Sequence, residues 1–131
     1  MIQLEKASES IYRQRLQIDG HEIFADVKAN VDGEDTAPDP HGLLDSSLAA
    51  CTAITLTMFA KRRGIPVESI NIDIERDDSN EKAGEYNLAM KIEFVGNLSE
   101  EQRQQLAGIV NKCPIHKLLS HGTFNIITTI S

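Results

Sequence analysis

Two cysteines are the residues of this chain whose type and surroundings could support chemistry. Cys51 lies in the apolar run Ala49-Ala50-Cys51-Thr52-Ala53, and Cys113 lies 62 positions later, directly before Pro114. A deprotonated thiol can act as a nucleophile, as a metal ligand or as one half of a disulfide. In a reducing compartment a sparse pair is more often redox-active or inert than structural, and spacing alone does not decide between these two.

The two cysteines occupy different predicted surroundings. Cys51 falls far from the ends of an apolar helix, where a cysteine can simply behave as a small core hydrophobe. Burial there would raise its pKa, so a reactive Cys51 requires a nearby cation such as an arginine. Pro114 at a first helical position would instead place Cys113 at a helix N-terminus, where unpaired N–H groups stabilise a thiolate.

His116 lies three residues after Cys113 and is a further candidate, although it can equally be a solvated surface side chain. Zinc sites show clearer paired spacing than one C-x-x-H and a distant cysteine, so we expect no metal. A cysteine hydrolase that uses His116 or His41 as its base stays an alternative. The sequence contains no recognisable set of nucleophile, base and oxyanion hole for it.

The elements that would position these residues follow from turn signals and periodicity. Strands over Ser10–Ile18 and His21–Val27 are predicted to form a hairpin across Asp19-Gly20. Asp39-Pro40 predicts the start of a long helix, and Gly64 followed by Pro66 predicts its end. Its apolar residues are spread around the helix, which favours a helix surrounded by protein.

The second half of the chain is predicted to contain two more strands, two helices and a last strand. Ser99 with Gln102 has the spacing of a capping box at a helix start. Alternation of apolar and polar residues marks strands over 70–75, 86–94 and 124–130. The order ββ-α-ββ-α-β predicts an α+β fold, a single domain over 1–131, with an antiparallel sheet packed on the long central helix.

Composition argues against some function classes. A formal net charge of -7 in 131 residues disfavours binding to nucleic acid, where positive charge supplies most of the affinity. The apolar stretch from Leu43 to Ala60 contains Asp45 and several hydroxyl side chains, so we expect a buried helix and no membrane span. The opening MIQLEKASES lacks the pattern of a secretory signal, and we therefore expect a cytoplasmic protein.

Two segments resemble the motifs of one family, the OsmC/Ohr proteins. Residues 40–53, PHGLLDSSLAACTA, look like the signature of their central helix, and residues 112–117, KCPIHK, look like their second-cysteine motif. The resemblance in element order extends over essentially the whole chain. It implies an intertwined homodimer and, as in the peroxidase members, thiol-dependent reduction of organic hydroperoxides without a bound cofactor. Cys51 would be the peroxidatic residue, Cys113 the resolving residue, and a dithiol, for example of the lipoyl type, the reductant.

The resemblance also implies an arginine beside the reactive thiolate, held by a glutamate just after the helix-start proline. Arg13 and Arg15 are the candidates for the arginine, with Arg13 preferred, although both could be exposed solubilising charges. His41 stands where the glutamate is expected, either as an orienting or substrate-contacting residue or as an ordinary helix-start residue. This departure favours an alternative in which the protein binds a small apolar ligand, or senses oxidation, without catalysis.

Overall fold

The computed structural model describes residues 1–7 and 9–131, and the chain divides into two compact units, Met1–Ser46 and Ser47–Ser131. The secondary structure is mixed, with antiparallel strands and three α-helices, as the α+β prediction requires. The strands form two sheets, one of three strands and one of two, where one sheet was predicted. The long helix α1, Pro40–Arg63, begins in the first unit and continues through the boundary.

The first unit is built on a three-stranded antiparallel sheet of β1 (Ile2–Lys6), β2 (Gln14–Ile18) and β3 (His21–Ala25), in that order. Asp19 and Gly20 both take positive φ angles, 48° and 88°, which a tight two-residue hairpin turn requires. The predicted hairpin is therefore confirmed, with shorter strands than expected. β1 was not predicted, because all five of its residues are exposed and carry no clear signal of a buried face.

A polar loop leads from β3 to the long helix. Asp26 is buried in it, and its carboxylate accepts hydrogen bonds from the hydroxyl of Thr36 at 2.6 Å and from the N–H groups of Thr36 and Val27. The bond from the Thr36 hydroxyl is the main reason that the pKa of Asp26 lies below its usual value. Asp39 then accepts the N–H of Gly42 at 2.8 Å, which confirms the predicted helix start.

The second unit packs a two-stranded antiparallel sheet of β4 (Ser69–Asp77) and β5 (Asn87–Val95) against α1. Two short helices follow, α2 (Glu100–Ala107) and α3 (Pro114–His121), and Ser99 forms the predicted capping box with Gln102. Single 3-10 turns occur at Ala29–Val31, Glu81–Ala83 and Val110–Lys112. The core consists of Leu56, Ala60, Ile65 and Leu106, against which Phe59, Val67, Ile70, Ile92, Phe94, Leu98, Ile109 and Val110 pack.

The last strand, predicted from Phe124 to Ile130, is not formed in the single chain. Residues 122–131 have no regular secondary structure, and Ile127 is 94% exposed. Alternating side chains indicate a preference for extended backbone, but a strand forms only where a neighbouring edge satisfies its N–H and C=O groups. No edge among the described residues of this chain does so.

The long helix buries one stripe instead of being surrounded by protein. The buried positions recur every three or four residues, at Asp45, Leu48, Thr52, Leu56 and Ala60. On another side of α1, Ile54 and Met58 are each more than half exposed. By length and composition the helix could also cross a bilayer, a test that the core helices of soluble proteins pass as well.

Candidate active site

The structure brings the two predicted cysteines together in the second unit. Cys51 lies beside the buried stripe of α1 and is half-buried, whereas Cys113 is completely buried at the start of α3. The two thiols lie close enough to act on each other's pKa, with Cys51 as the donor and the Cys113 sulfur as the acceptor. Both cysteines are free. The two sulfurs therefore belong to one site.

Cys113 is the N-cap residue of α3. Pro114 occupies the first turn, and the Cys113 Sγ accepts the backbone N–H of His116 at 3.4 Å. A helix N-terminus presents N–H groups without partners in the helix, together with the positive end of the helix dipole. The prediction that Pro114 places Cys113 at a helix N-terminus is confirmed, and this position favours the negatively charged form of the sulfur.

The two thiols differ in acidity. Burial, together with the hydrogen bond that its thiol donates to Cys113, raises the pKa of Cys51. Burial also acts to raise the pKa of Cys113, but hydrogen bonds outweigh it and hold that pKa below the usual value. The groups that lower it are the Cys51 thiol, the N–H of His116, the Thr52 hydroxyl and the N–H of Ile115, and of these the Thr52 hydroxyl acts without a full hydrogen bond to the sulfur. The surroundings of Cys113 thus favour its thiolate more than those of Cys51 do.

Two threonines of α1 belong to this site, although the sequence analysis did not select them. The Thr55 hydroxyl lowers the pKa of Cys51, and the Thr52 hydroxyl lowers that of Cys113. Thr52 is completely buried, and its oxygen makes no full hydrogen bond with the residues that the structure describes. An unsatisfied buried hydroxyl costs about 1–3 kcal/mol. The sequence signal that could have identified Thr52 is its position, as a polar residue between Leu48 and Leu56 in the buried stripe of α1.

His116 contributes to the site through its backbone. Its half-buried ring places Nδ1 3.4 Å from the Ser120 hydroxyl, one turn further along α3, while its N–H binds the Cys113 sulfur. Within residues 1–7 and 9–131 there is no group of three or more His, Cys, Asp or Glu side chains that could hold a metal ion.

The remaining predicted residues lie in the first unit. The Arg13 guanidinium lies 4.2 Å from the centre of the Phe24 ring and donates to the carbonyl of Thr36 at 3.2 Å. Arg15 forms ion pairs with two carboxylates of the same sheet, Glu5 and Glu22. The guanidinium of Arg13 is therefore less engaged by carboxylates than the guanidinium of Arg15.

His41 is the second residue of α1 and is half-buried. It stands at the position where a glutamate was expected from the resemblance.

Comparison with known proteins decides the family. The family model for OsmC-like proteins matches residues 33–128, which include both cysteines and the whole of α1. The chain belongs to the OsmC-like family. No curated protein sequence matches it significantly.

Solved OsmC-like structures share the fold. A putative osmotic stress induced and detoxification response protein from Psychrobacter arcticus has a TM-score of 0.72 at 17% identity, covering 91% of this chain and 88% of its own. An OsmC-like protein from Mycoplasma pneumoniae has a TM-score of 0.69 at 22% identity, covering 92% and 86%. The organic hydroperoxide resistance protein OhrB of Bacillus subtilis has a TM-score of 0.61 at 18% identity, covering 92% and 90%.

In this OsmC-like chain the sulfur pair can carry out two kinds of step. The pair with one proton removed contains a nucleophilic sulfur and, beside it, a thiol that can be oxidised. Oxidation of either sulfur to a sulfenic acid would place it next to a thiol able to condense with it and form a disulfide.

Removal of either cysteine is expected to shift the pKa of the one that remains, and the two shifts should have opposite signs. Cys51→Ala removes a donor from the Cys113 sulfur, so the pKa of Cys113 should rise. Cys113→Ala removes the acceptor that holds the Cys51 proton, so the pKa of Cys51 should fall. Ultraviolet absorbance of the thiolate, followed through a pH titration of each variant, measures both shifts. Shifts in the same direction would contradict this description of the pair.

Proposed function

We propose that the protein reduces organic hydroperoxides by a two-cysteine mechanism, with Cys51 peroxidatic and Cys113 resolving. The observation that carries the proposal is the proximity of the two thiols, which act on each other's pKa, one partly exposed and one fully buried. Membership of the OsmC-like family supports it, as do structural neighbours described as organic hydroperoxide resistance proteins, from Bacillus subtilis and Legionella pneumophila.

In the first step the peroxide reaches Cys51, because the Cys113 sulfur is closed off from solvent. The Cys51 proton passes along the hydrogen bond to the Cys113 thiolate, which leaves Cys51 as the attacking thiolate. Its sulfur attacks the distal oxygen of the hydroperoxide, so that an S–O bond forms while the O–O bond breaks, and Cys51 becomes a sulfenic acid. The alkoxide that leaves takes the proton from Cys113 and departs as an alcohol, so the Cys113 thiolate is regenerated.

In the second step Cys113 attacks the oxidised sulfur of Cys51. The S–S bond forms, the S–O bond breaks, and the oxygen leaves as water after taking up a proton. An external dithiol then reduces the disulfide by two exchange reactions and returns both cysteines to the thiol state. The lowered pKa of Cys113 fits its role as the attacking thiolate in this second step.

The substrate class follows from the surroundings of Cys51. The residues next to it in α1 are apolar or carry only small hydroxyl groups, including Ala50, Ala53 and Ile54. An apolar approach binds an alkyl or lipid-like hydroperoxide better than hydrogen peroxide, because burial of apolar surface contributes binding energy only with the former.

We further propose that two copies of the chain form a homodimer. The exposed side of α1 carries Ile54 and Met58, and the segment after α3 exposes Ile126, Ile127 and Ile130. Large exposed apolar surfaces are typical of protein interfaces. A second copy could cover α1 and provide a strand edge for residues 124–130.

The reductase proposal predicts different failures for the two cysteine variants. Wild-type protein is expected to consume cumene hydroperoxide catalytically with dihydrolipoate, whereas Cys51→Ser should abolish consumption. Cys113→Ser, supplied with no external thiol, should consume about one equivalent per chain and accumulate a Cys51 sulfenic acid that dimedone traps. Peroxide consumption, with mass analysis of the peptides, measures these outcomes. The proposal fails if wild-type protein turns over no faster than Cys51→Ser.

The two arginines provide a matched comparison for the cation that the family resemblance implies beside the reactive thiolate. Because Arg15 is engaged by Glu5 and Glu22, we propose that Arg13 acts in the reaction. Arg13→Ala should lower kcat/KM for the hydroperoxide by about tenfold or more, which corresponds to about 1.4 kcal/mol of transition-state stabilisation. Arg15→Ala should change it less than about twofold. Equal losses in both variants would reject the assignment.

The dimer proposal predicts a solution mass of twice one chain. Ile54→Asp places a charge on the exposed side of α1 and should shift sedimentation towards the monomer. Lys61→Asp changes the charge of an exposed position near the end of the same helix and serves as the control. Wild-type protein that sediments as a monomer throughout the micromolar range would overturn the proposal.

A further inference from the structure

The hydroxyl of Thr52 is placed unusually for a threonine inside a helix. Such a hydroxyl commonly donates to the carbonyl four residues earlier, as Thr57 does to Ala53 at 2.7 Å. Thr52 lies on the same helix and is completely buried, yet its oxygen makes no full hydrogen bond in the described part of the chain. The Thr52 hydroxyl is therefore buried without the local bond that would satisfy it.

The sulfur of Cys113 lies near this hydroxyl without forming a full hydrogen bond to it. Thr52 is among the side chains close enough to lower the pKa of Cys113. A neutral thiol is a weak acceptor, whereas hydrogen bonds to a charged acceptor are roughly twice as strong as those between neutral groups. The hydroxyl thus gains a good partner only when Cys113 is ionised.

We propose that Thr52 is a positioning residue for disulfide formation, holding Cys113 as the attacking thiolate by donating its hydroxyl proton to that sulfur. The inference rests on the proposed function for its role in the reaction, while the contact itself lies wholly within the second unit. The residue adjacent to Cys51 in the chain would then act on the partner cysteine.

The order of the chemical steps explains why donors other than Cys51 are needed at the Cys113 sulfur. In the resting pair the Cys51 thiol donates to Cys113, but oxidation of Cys51 by the hydroperoxide replaces that S–H with S–OH. The Cys113 thiolate must then attack, forming S–S, breaking S–O and releasing hydroxide, which takes up a proton to become water. Thr52 and the N–H of His116 are donors that this chemistry leaves unchanged.

The other ionisable groups around Cys113 are few. From α1 it meets Cys51, and on α3 the His116 ring is turned to Ser120. Lys112 and Lys117 flank the cysteine in the chain with exposed side chains. Hydrogen bonds, rather than a neighbouring cation, are the main influences that favour its thiolate.

A thiol titration tests the contact without any peroxide. In a Cys51→Ala background only Cys113 ionises as a thiol, and its ultraviolet absorbance reports its pKa directly. Thr52→Val in that background should raise the pKa by about one unit, since a hydrogen bond to a charged group is worth slightly more than that. Thr52→Ser keeps the hydroxyl and should leave the Cys113 pKa at the value of the parent. Thr57→Val removes a hydroxyl that is bonded to its own helix and is the matched control.

The outcomes separate a specific hydroxyl contact from a packing effect. Valine has nearly the shape of threonine, so Thr52→Val is expected to keep or raise the melting temperature while the pKa rises. Thr52→Ala lacks the same hydroxyl and should give the same shift if valine does not fit. The proposal would be overturned if Cys113 had the same pKa in Thr52→Val as in the parent. Equal pKa shifts in the Ser and Val variants would overturn it as well.

A kinetic readout connects the contact to the reaction. In the protein that retains both cysteines, Thr52→Val should slow disulfide formation from the Cys51 sulfenic acid by about threefold to tenfold at neutral pH. The loss of thiolate is partly compensated, because a more basic sulfur is more nucleophilic. The initial rate of sulfenic acid formation should change less. An unchanged rate of disulfide formation would remove the proposed role, and the titration result stands whether or not the protein proves to be a reductase.

Discussion

The interaction between the Cys51 thiol and the Cys113 sulfur requires a specific placement of both helices that carry the cysteines. α1 must present a half-buried cysteine beside a buried stripe, and α3 must begin at the residue whose sulfur receives the bond. Pro114 meets the second demand, because it has no N–H to satisfy and its fixed φ suits the first turn of a helix. The core around Leu56 and Leu106 meets the first by holding α1, α2 and the sheet in place. The acidity of each thiol then follows from which sulfur donates and which accepts.

Much of this arrangement could be predicted from the sequence, because it depends on local signals. The Asp39-Pro40 start, the Ser99 capping box and the helix after Cys113 are each set by residues within one turn, and each is present. The strands β4 and β5 were equally predictable, since one face of each packs on the core while the other is exposed. The proximity of the two sulfurs came from the family resemblance, and no local signal contains it.

The features that were missed depend on contacts distant in sequence. β1 has no buried face, so its pairing with β2 leaves no periodic signal in its own residues. Thr52 could be read as a small helix residue until the burial of its neighbours four positions away was known. The difference between Arg13 and Arg15 likewise depends on which carboxylates the sheet register brings opposite Arg15, namely Glu5 on β1 and Glu22 on β3.

The segment after α3 has a consequence for how the protein must be made. Residues 122–131 contain no Lys, Arg, Asp, Glu or Pro, and seven of the ten are Phe, Ile or Thr. Such uncharged windows rich in β-forming residues are prone to aggregate when they lack the gatekeeper charges that commonly flank exposed strands. While this segment has no edge to pair with, newly made chains expose an aggregation-prone segment, and a high concentration of unassembled copies favours insoluble deposits over productive folding.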